Sequence, residues 1–398
     1  MKTVAHSTLK SRASSCLAPE GAILSRRIVL SANSDWNIAN FRQGLIRALQ
    51  KAGFDPVVIA PQDPAAEDRM RALGVERIPL RIDRAGMNPF TDFRLFARYR
   101  NLLKTLRPAA YLGYTIKPNV YGSLAAASLG IPAFPNVSGL GTAFIRGGPL
   151  QRIVTSLYKA GFARAPVVFF QNEEDRQLFV DRGIVKLAQT RVLPGSGVDL
   201  ERFAAAPPPD GPPTFLVVGR LLRDKGIVEF VEAARQLRSV LPGARFQLLG
   251  PIDDGNRTAI RRSELEAWVR EGVVEHLGTT DDVRPFIAGA SAVVLPSYRE
   301  GLPRSLLEAA AMGRPLIATD VPGCRDVVED GVNGLLCAVR DAGSLAAAMQ
   351  RFAELPLDRR VAMGEAARRW VQDRFNEDFV VRAYLDVLAR IQGIQSGD

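Results

Sequence analysis

The chain has 398 residues, 47% hydrophobic and 24% charged, with 34 Gly and 26 Pro, a composition that excludes disordered and fibrous proteins. At about 100–200 residues per domain, this length predicts two domains with a cleft between them. The net charge of +10 points to an anionic partner: a nucleic acid, a phosphate-bearing substrate or a membrane surface.

Residues 1–25 carry Lys2, Lys10 and Arg12 without a continuous apolar run, so they read as a flexible extension rather than a cleaved signal peptide. From Arg26 onward, short β-branched runs alternate with helical periodicity, the pattern of βαβ units on a parallel sheet. The first series predicts strand 27–31, helix 37–53, strands 56–60 and 76–80, helix 91–106, strand 109–112, helix 119–129, strand 132–136, helix 150–163 and strand 167–171. Pro and Gly are dense over 193–213, which marks an interdomain linker, with boundaries set at 196–213. A second series follows. It has strand 214–219, helix 224–240, strand 245–250, helix 258–271, strand 273–276, helix 282–289, strand 292–296, a helix from Pro303 to Met312 and strand 315–319. Helices are expected over 344–354, 358–374 and 377–394. The domains are thus placed at 26–195 and 214–375, with 376–398 crossing back to the first. No run reaches the 18 or so apolar residues of a spanning helix.

The charge is unevenly spread. Residues 1–195 hold 27 Lys and Arg against 13 Asp and Glu, and no acid occurs between Asp92 and Glu173. At its start Phe90, Phe93, Phe96 and Tyr99 recur near helical spacing beside Arg94, Arg98 and Arg100. This suits docking on an anionic membrane, although some of these aromatics are expected in the core. No aromatic stacking platform or recognition motif accompanies the basic residues, so nucleic acid is not expected as a partner.

Three cysteines, Cys16, Cys324 and Cys337, match neither a disulfide framework nor a zinc site and fit a reducing, cytosolic setting. Two histidines, His6 and His276, leave almost no scope for triad chemistry. The pairs Asp253-Asp254 and Asp281-Asp282 lack D-x-D spacing, so no metal and no other cofactor is expected. The first strand of neither domain is followed by G-x-G-x-x-G, and the chain has no G-x-x-x-x-G-K-[ST]. Dinucleotide binding and a P-loop are therefore not supported.

Two segments carry chemistry. In Val293–Gly323 a buried strand runs through a turn holding Glu300 into a helix with Glu308 in its second turn. A strand end meeting a helix N-terminus is where α/β proteins bind anions, here on the amides around Gly301, Leu302, Pro303 and Arg304. In VGRLLRDKG, Gly219 precedes Arg220, and Lys225 follows five residues later across a strand-to-helix turn. Two cations with free amides suit a diphosphate.

The GR-x4-KG loop paired with Glu300-Gly301 through Glu308 resembles the retaining nucleotide-sugar glycosyltransferases of family 4, over essentially Arg27 to Ile391. The resemblance implies an α/β GT-B fold of two facing Rossmann-like domains. It further implies that Arg220 and Lys225 stabilise the leaving diphosphate, that Glu308 accepts the ribose hydroxyls, and that Glu300 positions the transferred sugar. Tyr114–Phe144 is similar to a branch that includes N-acetylgalactosaminyltransferases acting on undecaprenyl-diphosphate-linked bacillosamine and capsule or exopolysaccharide transferases. That branch implies a UDP-linked N-acetylhexosamine donor, a polyprenyl-diphosphate-linked acceptor and a peripheral place on the cytoplasmic face of the cell membrane. Lys117, Asn119, Gly139, Gly141 and Thr142 are then expected on the acceptor side, with Lys117 on a phosphate. The histidine many relatives carry near this cleft wall is missing here. Two other classes stay open: a GT-B nucleotide-sugar epimerase and a non-enzymatic glycan-binding module.

Overall fold

The computed structural model describes residues 25–83, 88–139, 149–391 and 393; the extension over residues 1–24 lies outside them. In the first domain, strands β1 (Arg27–Ser31), β2 (Asp55–Ala60), β3 (Glu76–Pro79), β4 (Ala110–Tyr114), β5 (Ala133–Val137), β6 (Val168–Phe170) and β7 (Thr190–Val192) form one sheet. Its order is β3-β2-β1-β4-β5-β6-β7, and every pairing is parallel. The second domain has β8 (Thr214–Val218), β9 (Arg245–Leu249), β10 (Glu275–His276), β11 (Ala292–Leu295), β12 (Leu316–Thr319) and β13 (Gly334–Cys337) in the order β10-β9-β8-β11-β12-β13, again all parallel. Strand order reverses beside β1 in one sheet and beside β8 in the other, and a crevice at such carboxyl ends is where α/β sheets take ligands. This is the GT-B arrangement of two Rossmann-like domains.

Alternation along β1 and β2 divides the first core. Ile28, Leu30 and Val58 face one cluster, while Val29, Val57 and Ile59 face another, as the two-residue period of a strand requires. The helix Glu377–Ile391 leaves the second domain and fills the first face with Val380, Tyr384, Val387 and Leu388. The Tyr384 ring lies 4.7 Å from that of Phe169, and its hydroxyl accepts a hydrogen bond from Asn136 Nδ2 at 3.0 Å. Burying such a ring contributes about 1.5–3 kcal/mol, so the last helix belongs physically to the first core.

Several elements differ from expectation for local reasons. The continuous helix expected over 37–53 is broken at Arg42 (φ −135, ψ 13) into Asp35–Phe41 and Gln43–Lys51. The Arg42 guanidinium sits 4.2 Å above the Tyr114 ring instead of continuing a helical face. The helix expected over 224–240 begins as a single 3-10 turn, Arg223–Lys225, and becomes α-helical only at Ile227. Gly226 adopts φ +70 between them, against Pro296, whose carbonyl oxygen would lie 2.0 Å from any Cβ there. The 119–129 helix opens as a π turn, Pro118–Gly122, before Ser123–Ser128. Strand 273–276 shrinks to Glu275–His276. The helix Glu173–Asp181 and the edge strands β7 and β13 were not expected at all.

Candidate functional site

On the second-domain side, β8 and β9 both end in glycines with backbone open only to that residue: Gly219 has φ +153 and Gly250 φ +149. They are pressed together, since a Cβ on Gly250 would lie 1.9 Å from Gly219 O. This close approach clears the strand ends. Beyond it, Arg220 is more than half exposed and its Nη1 donates to Asp253 Oδ2 at 2.8 Å. Lys225 donates from Nζ to Glu300 Oε1, with both side chains largely shielded.

The loop after β11 carries Glu300. It is pinned to the Lys225 turn by Tyr298 N donating to Asp224 O at 2.9 Å and Tyr298 Oη donating to Glu229 Oε1 at 2.6 Å. Burial and that carboxylate push the Tyr298 hydroxyl up to about 12, so it remains a donor throughout the physiological range. The helix Arg304–Ala311 follows, and no side chain caps its N-terminus, which leaves backbone N–H groups for an anionic ligand. Pro303, expected as the first helical residue, is instead the extended residue before it. One turn in, Glu308 Oε1 accepts from Arg304 Nε at 2.7 Å, and the Arg304 guanidinium lies 5.2 Å over the Phe41 ring of the first domain. Glu308 is mostly buried yet retains exposure. Beneath the loop, burial and then the neighbouring Glu300 push the Cys324 thiol well above its ordinary range, so it is an inert core group.

The sequence thus brings Arg220, Lys225, Glu300 and Glu308 to one crevice, with Gly219, Gly301, Leu302, Pro303 and Arg304 around them. It did not reveal that each cation has a carboxylate: Asp253 for Arg220, Glu300 for Lys225, Glu308 for Arg304.

The first-domain side departs further from expectation. Lys117, expected on a phosphate, is paired: its Nζ donates to Asp92 Oδ1 at 2.6 Å, both only 14% exposed, and Tyr121 Oη donates to the other Asp92 oxygen at 2.9 Å. Asn119, expected on the acceptor side, lies inside the first domain. It is 1% exposed, donates to Asn136 O at 2.7 Å and packs on Gly113, where a Cβ would lie 2.8 Å from its Oδ1. It thereby links β4 and β5. Gly139 (φ +150) follows Ser138, whose carbonyl meets Gly301 across the crevice. Gly141 and Thr142 lie outside the described residues. Sequence reasoning missed Thr115, a β-branched residue at φ +67 on the cleft end of β4. Its Oγ1 accepts from Asn33 N at 3.1 Å, which ties the ends of β1 and β4 together at the switch point.

Among the described residues no group of three or more His, Cys, Asp or Glu is placed to hold a metal ion, and no helix is long and apolar enough to cross a membrane.

Two doubly wound domains facing one crevice, with cations, a carboxylate pair and an open helix end on the second, define a glycosyltransferase of the GT-B class. Residues 38–196 match the family described as "Glycosyl transferase 4-like domain" and residues 212–354 match "Glycosyl transferases group 1"; the chain is a glycosyltransferase built of these two domains. It is 29% identical over 385 residues to the N,N'-diacetylbacillosaminyl-diphospho-undecaprenol alpha-1,3-N-acetylgalactosaminyltransferase of Campylobacter jejuni, covering 92% of this chain and 99% of that protein. A 32% identical match to the putative colanic acid biosynthesis glycosyltransferase WcaL of Escherichia coli spans 51% of each chain. In fold it is similar to HepE of Anabaena in complex with UDP-glucose, with a TM-score of 0.76 at 17% identity over 92% of this chain and 99% of that one. A glycosyltransferase from Rickettsia africae gives a TM-score of 0.74, also at 17% identity, over 92% of this chain and 99% of that one. The chain is a hexosyltransferase of polysaccharide or lipid-linked glycan biosynthesis.

Proposed function

We propose that this transferase takes a UDP-linked N-acetylhexosamine and moves the sugar, with retention at the anomeric carbon, to a polyprenyl-diphosphate-linked acceptor at the cytoplasmic membrane face. The observation that supports the donor half is that Arg220 and Lys225 follow β8, and Glu300 and the uncapped helix Arg304–Ala311 follow its neighbour β11, with Lys225 on Glu300 and Glu308 one turn into that helix. Cations and amides aimed at one point stabilise charge that grows on a departing diphosphate. Glu308 offers two oxygens for the ribose hydroxyls. Glu300, held by Lys225, positions the sugar. The acceptor oxygen bonds to the anomeric carbon on the face the diphosphate leaves, and the proton it loses passes to that leaving group, so no protein nucleophile is needed. The Campylobacter relative acts on an undecaprenol-linked acceptor by name, and HepE holds UDP-glucose on the same fold.

The acceptor half is supported by the outer face of the first domain. The helices Pro89–Leu106 and Pro149–Phe162 lie over one side of its sheet. They present Phe90 at 81%, Phe93 at 69% and Ile153 at 56% exposure. Arg94, Arg98, Arg100, Lys104, Arg152 and Lys159 are exposed around these side chains and form no ion pair among the described residues. Each such cation near anionic lipid contributes about 1 kcal/mol, and the exposed aromatics can enter the headgroup layer. Phe96 and Tyr99 belong to the core instead. Asp92, through Lys117 and Tyr121, ties the start of the first helix to the crevice edge, which brings a membrane-borne acceptor to the donor.

The test is to incubate the protein with UDP-, GDP- and ADP-sugars, with and without a polyprenyl-diphosphate glycan in anionic vesicles, and to follow nucleotide release and product anomeric configuration. Acceptor-dependent release from a UDP-N-acetylhexosamine with retained configuration is expected. Sugar products formed without acceptor, or an inverted linkage, would overturn the reading.

A further inference from the structure

The first domain holds the Glu300 loop from both sides through a single helix cap. Helix Glu173–Asp181 is capped by Asn172, whose Oδ1 accepts from Asp175 N at 2.7 Å. The same Asn172 donates from Nδ2 to Gly301 O of the second domain at 2.9 Å. Three residues on, the buried carboxylate of Asp175 accepts from Arg299 Nη2 at 2.6 Å. Arg299 and Gly301 are the two neighbours of Glu300. Gly301 is also pressed on the first domain, since a Cβ there would lie 2.6 Å from Ser138 O. Outside this pair of contacts an exposed bridge joins Arg325 Nη1 to Glu174 Oε1 at 3.0 Å.

Within the second domain, Glu300 has Lys225 on its carboxylate and its loop is held through Tyr298 and Gly323, but the contacts that Asn172, Asp175 and Ser138 make with its two neighbours come from the first domain and are lost whenever the domains part. Asp175 would then lose the Arg299 guanidinium, and the Glu300 loop would lose both first-domain contacts at once. We infer that Asn172 and Asp175 are positioning residues that align Glu300 only when the two domains meet, so that closure of the crevice and assembly of the sugar-holding loop are one event. The chemistry would be switched off in the open form, when water has access to the donor. This inference rests on the reading of Glu300 as the residue that holds the transferred sugar.

The test uses Asp175→Asn and Arg299→Gln in the full chain, with three readouts. Misplacement of a positioned group by about 1 Å costs on the order of 100-fold in rate. Each variant is therefore expected to lower kcat by about 10- to 100-fold, with the donor KM within about threefold. Because the two side chains share one contact, the double variant should be no slower than the slower single within about twofold. Glu174→Gln, which breaks only the exposed bridge, should change kcat less than about threefold. Amide hydrogen exchange over residues 297–302 should accelerate in Asp175→Asn and Arg299→Gln whether or not UDP is present, and UDP titration of the unaltered protein checks the donor reading separately. Should Asp175→Asn fail to fold, Arg299→Gln alone carries the test. Unchanged kcat and exchange, fully additive losses, or a UDP Kd raised more than about tenfold by Arg299→Gln would overturn the inference.

Discussion

Cations occur in two very different settings. In the second-domain crevice Arg220, Lys225 and Arg304 each face a carboxylate at hydrogen-bond distance, whereas on the outer face of the first domain Arg94, Arg98, Arg100 and Lys104 project from one helix with no ion pair among the described residues. Paired cations are held in fixed geometry, so they suit a small ligand whose charge must be met at defined points. Unpaired cations around exposed Phe90 and Phe93 suit a broad, fluid anionic surface that needs density of charge but no register. Net charge alone, positive overall, would not have separated the two.

This contrast can be broken by experiment. The largest effect is expected in the crevice. Removing the Lys225 amine with Lys225→Ala leaves the Glu300 carboxylate uncompensated and takes a cation from the leaving diphosphate, and should reduce kcat by about 100- to 1000-fold. Steady-state kinetics with the identified donor measures this. Next, Glu308→Ala should weaken UDP binding by about 1.5–3 kcal/mol, the worth of hydrogen bonds to a charged group, while leaving the fold intact because the residue sits one turn inside a helix end. Calorimetric titration reads that loss. On the outer face, Phe90→Ser with Phe93→Ser should weaken vesicle binding with no loss of UDP affinity or thermal stability, and Arg94→Glu with Arg98→Glu should weaken it further at low salt and leave what remains less sensitive to salt. Co-sedimentation with anionic vesicles at two salt concentrations is the check.

The smallest effect concerns a rim pair. The Arg245 guanidinium holds the Glu275 carboxyl below its ordinary value of 4.5. A carboxyl depressed in the folded state contributes stability that is complete above its unfolded value and is lost as pH falls through the folded one. Both side chains are exposed beyond a third, so solvent screening limits the contribution to about 0.2–1 kcal/mol. The melting temperatures of the unaltered protein and Glu275→Gln should therefore differ slightly at neutral pH and converge in acid.

The strands at the centre of both sheets were legible because they are short apolar runs between glycine and helical periodicity, and the GR-x4-KG and Glu300–Glu308 segments were legible because both end a buried strand. What escaped was decided by contacts distant in sequence. Asn172, followed by Glu173, Glu174 and Asp175, is a helix start with acids in its first turn. The helix it caps was missed because it has only nine residues and is followed, after a short turn, by the three-residue edge strand β7, and neither is strongly periodic. The pairing of Asp175 with Arg299 spans 124 positions, and nothing local announces it. Lys117 looked like a free cation because its partner Asp92 lies 25 residues earlier, on a helix whose aromatics drew attention to the opposite face. Asn119, expected on the acceptor side, lies in the π turn at Pro118–Gly122, where it is buried against Gly113 of β4.

The most direct test of the central claim is calorimetric titration of UDP and a UDP-N-acetylhexosamine into the unaltered protein, Arg220→Ala and Glu308→Ala. Saturable 1:1 binding to the unaltered protein, weakened at least about tenfold in each variant, is the expected result. Equal affinity in all three proteins, or no affinity of the unaltered protein for either ligand, would contradict the assignment of the second-domain crevice as the UDP-sugar donor site.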